Sequence, residues 1–172
     1  MKKKIAILLP YKEKYTLDQA AAASIWVKDY LKHSLLKNKT LIFGNLNKKD
    51  KPITNNFINL DISNTKFKKN YFYTKKFLNE FYKYNFDIIE IHNRPLIFNY
   101  LKKEINSKYI LYFHNDPLSM NGSKTSTERL NLLISLDKIV FVSKWVQDRF
   151  FIDLDKKLSD KTEIVYPSIH KI

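Results

Sequence analysis

The sequence ends four apolar runs on residues able to bind or react. The first run leads into Tyr11 and Lys12, with Thr16, Asp18 and Gln19 just beyond. Ile88-Ile89-Glu90-Ile91 leads into His92-Asn93-Arg94, and Ile110–Phe113 leads into His114-Asn115-Asp116. The run at residues 139–142 leads into Ser143-Lys144-Trp145. A histidine, an amide and a charged residue follow two of the runs, and such groups make a ligand site where they converge in one cleft. Taken singly, His92 or His114 is better read as a polar cap on a strand. Other chemistries fit less well. His92, His114 and Asp116 are metal-ligand types, but no close histidine pair or carboxylate cluster has metal-site spacing. Only two glycines occur, Gly44 and Gly122, so the glycine-rich turn of dinucleotide sites and the phosphate loop of nucleotide hydrolases are both missing. Ser143 has no evident base. Asp87 and Glu90 are read with one facing solvent, or both near a strand end. No cofactor and no metal are expected.

These residues need a scaffold that brings strand ends together, and the hydrophobic pattern supplies one. Strand-like runs occupy residues 4–9, 40–43, 57–61, 86–91, 109–113, 139–142 and 162–166. Helical spacing occupies 17–33, 71–84, 95–105, 130–136 and 144–151, with Pro95 suited to a first turn, Thr125 to Glu128 forming a capping signal and Ser143 opening the last helix. Strands alternating with helices imply βαβ units joined by right-handed crossovers. The expected fold is α/β: a Rossmann-like, doubly wound, mainly parallel sheet of about six or seven strands, with helices on both faces. Ligands of such sheets bind beyond the carboxyl ends of the strands, where these polar residues fall. Thr16 or Asp18 is the expected cap of the first helix, whose amides would then face an anion. No repeat or linker divides the chain, so residues 1–172 read as one domain.

Composition narrows the class. The chain has 172 residues, no cysteine and no run of 18 apolar residues, so disulfide, thiolate and transmembrane readings drop out. The apolar stretch after Met1-Lys2-Lys3-Lys4 is too short for a signal-peptide core. A cytoplasmic location is expected. The formal net charge is +14, and residues 1–84 carry 18 lysines against 6 acids, whereas residues 85–172 carry 13 basic residues against 11 acids. That imbalance suggests an anionic partner, although Lys, Asn, Ile, Phe and Tyr together are also what an A/T-rich genome encodes. Lysine far outnumbers arginine, which disfavours specific nucleic-acid readout.

Four segments together resemble family 4 glycosyltransferases. Asp87–Asn93 is similar to a strand that often ends in histidine in that family. Ile110–Pro117 resembles its strand-and-histidine segment, Ile139–Val146 its apolar strand followed by serine, and Ile164–Ile169 the segment leading into a second domain. The resemblance implies the N-terminal, acceptor-binding half of a retaining GT-B enzyme that builds lipopolysaccharide or another surface polysaccharide from a nucleotide-sugar donor. It implies that His114 is the active-site histidine contacting the transferred sugar. It places Tyr11, Lys12, His92, Asn93, Arg94, Asp116, Ser143 and Lys144 on the acceptor side, and Thr16, Asp18 and Gln19 toward the donor phosphates. The family's glycine pair before the first helix is replaced by Ala20–Ser24, and no two glutamates have the spacing of the donor-binding signature. The chain is therefore expected to be weak or inactive without a C-terminal donor domain, as an N-terminal half, a truncated product or one part of a split enzyme. Lysines interleaved with aromatics at residues 67–77 suggest peripheral contact with the anionic inner face of a membrane, against the simpler reading of a solvated lysine face. A non-catalytic binding module on the same fold, or a basic nucleic-acid binder, are the alternatives.

Overall fold

The computed structural model describes residues 4–167. Residues 1–3 and 168–172, among them Ser168 and Ile169 of the last segment compared above, lie outside the described residues. Seven strands form one sheet: β1 (Ile5–Leu8), β2 (Thr40–Gly44), β3 (Phe57–Asn59), β4 (Ile88–His92), β5 (Lys108–Phe113), β6 (Lys138–Phe141) and β7 (Thr162–Ile164). Their order is β3-β2-β1-β4-β5-β6-β7 and every pairing is parallel. The order reverses between β1 and β4, where Leu8 stands beside Ile91. Chain leaving these two strands diverges to opposite faces and opens a crevice there.

Five helices complete the doubly wound fold: α1 (Ala22–His33), α2 (Lys69–Tyr84), α3 (Pro95–Leu101), α4 (Ser126–Ser135) and α5 (Lys144–Phe150). Successive residues of a strand point to opposite faces, so the sheet feeds two cores. Ile5, Ile7, Leu9, Tyr112 and Val140 pack with Trp26, Val27 and Leu31 of α1. Ala6, Leu8, Leu111, Phe113 and Phe141 pack with apolar residues of the other four helices. Helices therefore cover both faces as expected, but one face carries α1 alone. That leaves an open strip of sheet beside α1.

The expected elements are present, and their differences lie at ends. The first helix begins at Ala22, not Leu17, with Ala21 as a cap that offers no side chain. Thr16 instead accepts a hydrogen bond from the Gln19 amide at 3.2 Å, closing a separate turn that a bridge between Lys14 and Ala20 holds. Neither Thr16 nor Asp18 caps α1. The third helix stops at Leu101, short of Ile105, and short 3-10 turns fill Lys37–Lys39, Pro117–Ser119 and Lys156–Lys161. The capping box is formed: Thr125 accepts from the Glu128 amide and Glu128 accepts from the Thr125 amide.

Candidate functional site: a histidine pair and a polar pocket at the sheet switch point

β4 and β5 run side by side, with His92 opposite Tyr112, and each delivers an imidazole to the carboxyl edge of the sheet. His92 Nδ1 and His114 Nε2 lie 2.8 Å apart, so a single hydrogen occupies the bond when both rings are neutral. Both rings are driven to that form. Burial holds the His92 pKa well below the ordinary range, and the neighbouring His114 charge adds to it. Burial lowers His114 to about 4. At neutral pH the pair is uncharged. The ring that carries the shared hydrogen decides whether the other nitrogen of His114, Nδ1, donates or accepts. Aromatic rings fix the pair: Tyr112 stacks on His92 at 4.6 Å between centroids, and Trp26 of α1 stands 5.9 Å from His114.

Asn93 connects this pair to the rest of the edge. Its backbone is left-handed (φ 52°), a conformation asparagine tolerates better than most residues. Its side-chain oxygen accepts from the His114 amide at 2.8 Å, which anchors the turn after β5. Glu13, from the loop after β1, lies against the Asn93 side chain and the Ala23 and Ser24 amides in the first turn of α1. Burial raises the Glu13 pKa, and Arg94, those two amides and Asn93 act the other way. One Glu13 carboxyl oxygen, Oε2, is buried without a hydrogen-bond partner.

Two concavities flank Asn93. On the α1 side, a groove of about 730 Å³ runs the length of that helix over the open strip of sheet. Ala22, Trp26, Tyr30, Val142 and Tyr166 line it together with His114. On the opposite side is a polar pocket of about 300 Å³, lined by Tyr11, Lys12, Asn70, Asn93, Arg94, Asn115 and other residues. Arg94 Nη1 donates to the Asn93 carbonyl at 2.9 Å, and its guanidinium lies 5.3 Å from the Tyr11 ring centroid. Among the described residues, no group of three or more His, Cys, Asp or Glu side chains is placed to hold a metal ion.

The structure thus brings Tyr11, Lys12, His92, Asn93, Arg94 and His114 together around the switch point. It engages three expected site residues elsewhere. Asp116 forms an ion pair with Arg149 at 2.9 Å and accepts from the Leu118 amide. Ser143 caps α5 by accepting from the Val146 amide. Lys144 is exposed and pairs with Asp148. Asp18 and Gln19 are exposed on the turn ahead of α1. Sequence reading missed Trp26 and Tyr112 as neighbours of the histidines, Tyr30 as the ring stacked on Trp26 and Glu13 as a neighbour of Asn93. Of Asp87 and Glu90, Asp87 is the one that faces solvent, while Glu90 is 3% exposed and faces the α1 side two residues before His92. The matched polar ends of β1 and β4 were the available signal for Glu13; Glu90 had none.

No protein-family model matches the sequence, and no curated protein matches it. Solved structures do match. Sucrose-phosphate synthase from Thermosynechococcus elongatus aligns with a TM-score of 0.67 at 13% identity, over 95% of this chain and 48% of that one. HepE from Anabaena, determined in complex with UDP, aligns with a TM-score of 0.55 at 12% identity, over 96% of this chain and 44% of that one. The chain spans about half the length of these proteins. At such identities the likeness is one of fold: the chain has the Rossmann-like domain architecture found over about half of each of these proteins.

Proposed function

We propose that this chain is the acceptor-binding domain of a glycosyltransferase that moves a sugar from a nucleotide-sugar donor to a surface-glycan acceptor, with retention. The observation carrying the reading is the buried, neutral His92–His114 pair at the carboxyl edge of β4 and β5, beside the point where strand order reverses. His114 is the residue that touches the transferred sugar, and as a neutral imidazole it gives or takes a hydrogen bond without bringing a charge to the reaction. His92 is a positioning residue, since it reaches the sugar only through His114. Asn93 holds the His114 backbone, and Tyr11, Lys12 and Arg94 meet the acceptor. Asp116, Ser143 and Lys144, given to the acceptor by resemblance, act on it only through the local structure they brace.

The donor side lies mostly in a second domain. HepE's UDP complex supports a nucleotide-sugar donor. The loop of residues 11–19 faces that donor with its exposed rim, at Asp18 and Gln19, with Thr16 bracing the turn. Alone, the 172-residue chain transfers sugar weakly or not at all.

The reaction is placed at the cytoplasmic face of a membrane. Phe67, Tyr71 and Phe72 are exposed beside Lys68, Lys69, Lys75 and Lys76, a surface suited to anionic lipid. Among the described residues no helix is long and apolar enough to cross a membrane.

Titration of the isotope-labelled chain with short neutral surface glycans tests acceptor binding. The expected resonance changes fall at His92, Asn93 and His114. Changes confined to surfaces away from the carboxyl edge would refute the reading.

A further inference from the structure

Glu90 is a buried acid outside the acceptor-binding set. It lies on β4 two residues before His92 and is 3% exposed, so both side chains rise from the same face of the strand, toward α1. Each ends in a buried atom without a hydrogen-bond partner: Oε2 of Glu90 and Nε2 of His92. Native proteins rarely leave such atoms so, and these two are complementary. A carboxyl hydrogen suits an imidazole nitrogen, and an imidazole N–H suits a carboxylate.

The ring geometry turns them toward each other. His114 lies two residues beyond Tyr112, the strand partner of His92, so His92 directs Nδ1 toward the carboxyl edge. Nε2 is on the opposite side of the ring and therefore faces back along β4, where Glu90 stands. Same-face neighbours on a strand are about 7 Å apart, a gap that two side chains and one ordered water span. No charged neighbour competes for Glu90, whose pKa of about 7 is set by burial. Tyr30 of α1 and Tyr112 of β5 lie in its field, and both phenols stay neutral at neutral pH. Its sheet partners, Ile7 of β1 and Ile110 of β5, are apolar. Glu163 of β7 acts on Tyr112 and is paired with Lys138, and Asp29 and His33 of α1 line the groove.

We propose that Glu90 is a positioning residue: through His92 it decides whether Nδ1 of His114 donates or accepts the hydrogen bond at the sugar. This rests on the acceptor-binding reading above and adds the device that sets its histidine. One ordered water joins Glu90 to Nε2 of His92. With Glu90 protonated, its hydrogen points to Nε2 of His92, His92 donates from Nδ1 to Nε2 of His114, and His114 donates from Nδ1. When one proton is lost, every hydrogen moves one place. The Glu90 hydrogen passes by way of the water to Nε2 of His92, that of His92 Nδ1 passes to Nε2 of His114, and the proton on His114 Nδ1 leaves to the groove that His114 lines. Glu90 is then a carboxylate, both rings remain neutral, and His114 Nδ1 accepts.

The test reads the tautomers of the full chain, labelled with nitrogen-15 at histidine, by long-range proton–nitrogen spectra from about pH 5.5 to 9. The protonated nitrogen of His114 is expected to change from Nδ1 to Nε2 with a midpoint of about 7. Glu90→Gln has no proton to lose and should hold His114 in one form across the range. His92→Phe keeps an aromatic ring against Tyr112 and breaks the connection, so it too should remove the change. Circular dichroism reports whether each variant is folded. A His114 tautomer that does not change with pH in the parent overturns the proposal whatever the variants do. A change that persists in folded Glu90→Gln or His92→Phe overturns it as well. These spectra are recorded without glycan, so failure here leaves the acceptor-binding reading standing, and the glycan titration above decides that reading separately.

Discussion

Replacing Glu90 by glutamine should change how stability depends on pH, with a sign and size set by burial. Glu90 lies on β4 behind the histidine pair, 3% exposed, with one carboxyl oxygen unpartnered. Burial raises its pKa from 4.5 to about 7. The folded chain therefore holds this proton more tightly than the unfolded chain. The stabilisation is complete below about pH 4.5 and is lost as pH rises through 7. The gap corresponds to about 3 kcal/mol. His114 runs the other way. Its folded value of about 4 lies below the ordinary 6.5, so its stabilisation is complete above pH 6.5 and is lost as pH falls toward 4; His92 has the same sign. In the mildly acid range, unfolding thus takes up one proton on each histidine and releases one from Glu90. The net uptake is one proton, a slope of about 1.4 kcal/mol per pH step. Glu90→Gln leaves both histidine protons unopposed and doubles the slope to about 2.7 kcal/mol. Urea unfolding at a series of pH values, followed by fluorescence of Trp26 beside the pair, measures both slopes. The variant should gain about 3 kcal/mol relative to the parent between pH 4 and 8. A difference that stays constant with pH would refute the burial of an ionisable Glu90 behind the histidines.

Two further outcomes follow from other parts of the fold. Arg129 is fully buried and donates to the carbonyls of Phe150, Ser123, Lys124 and Ile152, so Arg129→Met should cost on the order of 3–5 kcal/mol in chemical unfolding, and a cost below about 1 kcal/mol would contradict that role. Flotation with vesicles should recover the chain with anionic lipid and not with neutral lipid, and reversal of Lys68, Lys69, Lys75 and Lys76 to glutamate should abolish recovery; equal recovery on neutral vesicles rules out the electrostatic contact.

Much of the edge chemistry was legible because it follows from strand ends. An apolar run of strand length that stops at His92 or His114 must place that residue at the carboxyl edge, and parallel neighbours then bring the two rings within reach. Less legible was anything decided by a partner distant in sequence. The Thr16-Gln19 spacing carries the same local signal as a helix cap, yet it closes a turn, because the bridge between Lys14 and Ala20 loops this segment back and α1 starts only at Ala22. Asp116 looks like a site residue beside His114 until Arg149, 33 residues on, takes both its oxygens. Glu90 sits in an apolar strand, where alternation alone cannot tell a buried carboxyl from one at an exposed margin; the α1 crossover and the aromatic rings around the pair decide it. The open strip beside α1 likewise depends on which face each crossover takes, and becomes visible only with the strand order.

The account's central claim is that His114, set by His92 and Asn93, is the group of this domain that meets the transferred sugar. The direct measurement is transfer from a UDP-sugar to a surface-glycan acceptor by the chain completed with a donor-binding GT-B half, comparing the parent with His114→Ala. The account predicts a fall in turnover of about a hundredfold or more, with folding and acceptor binding retained. Unchanged turnover in the folded variant would contradict it.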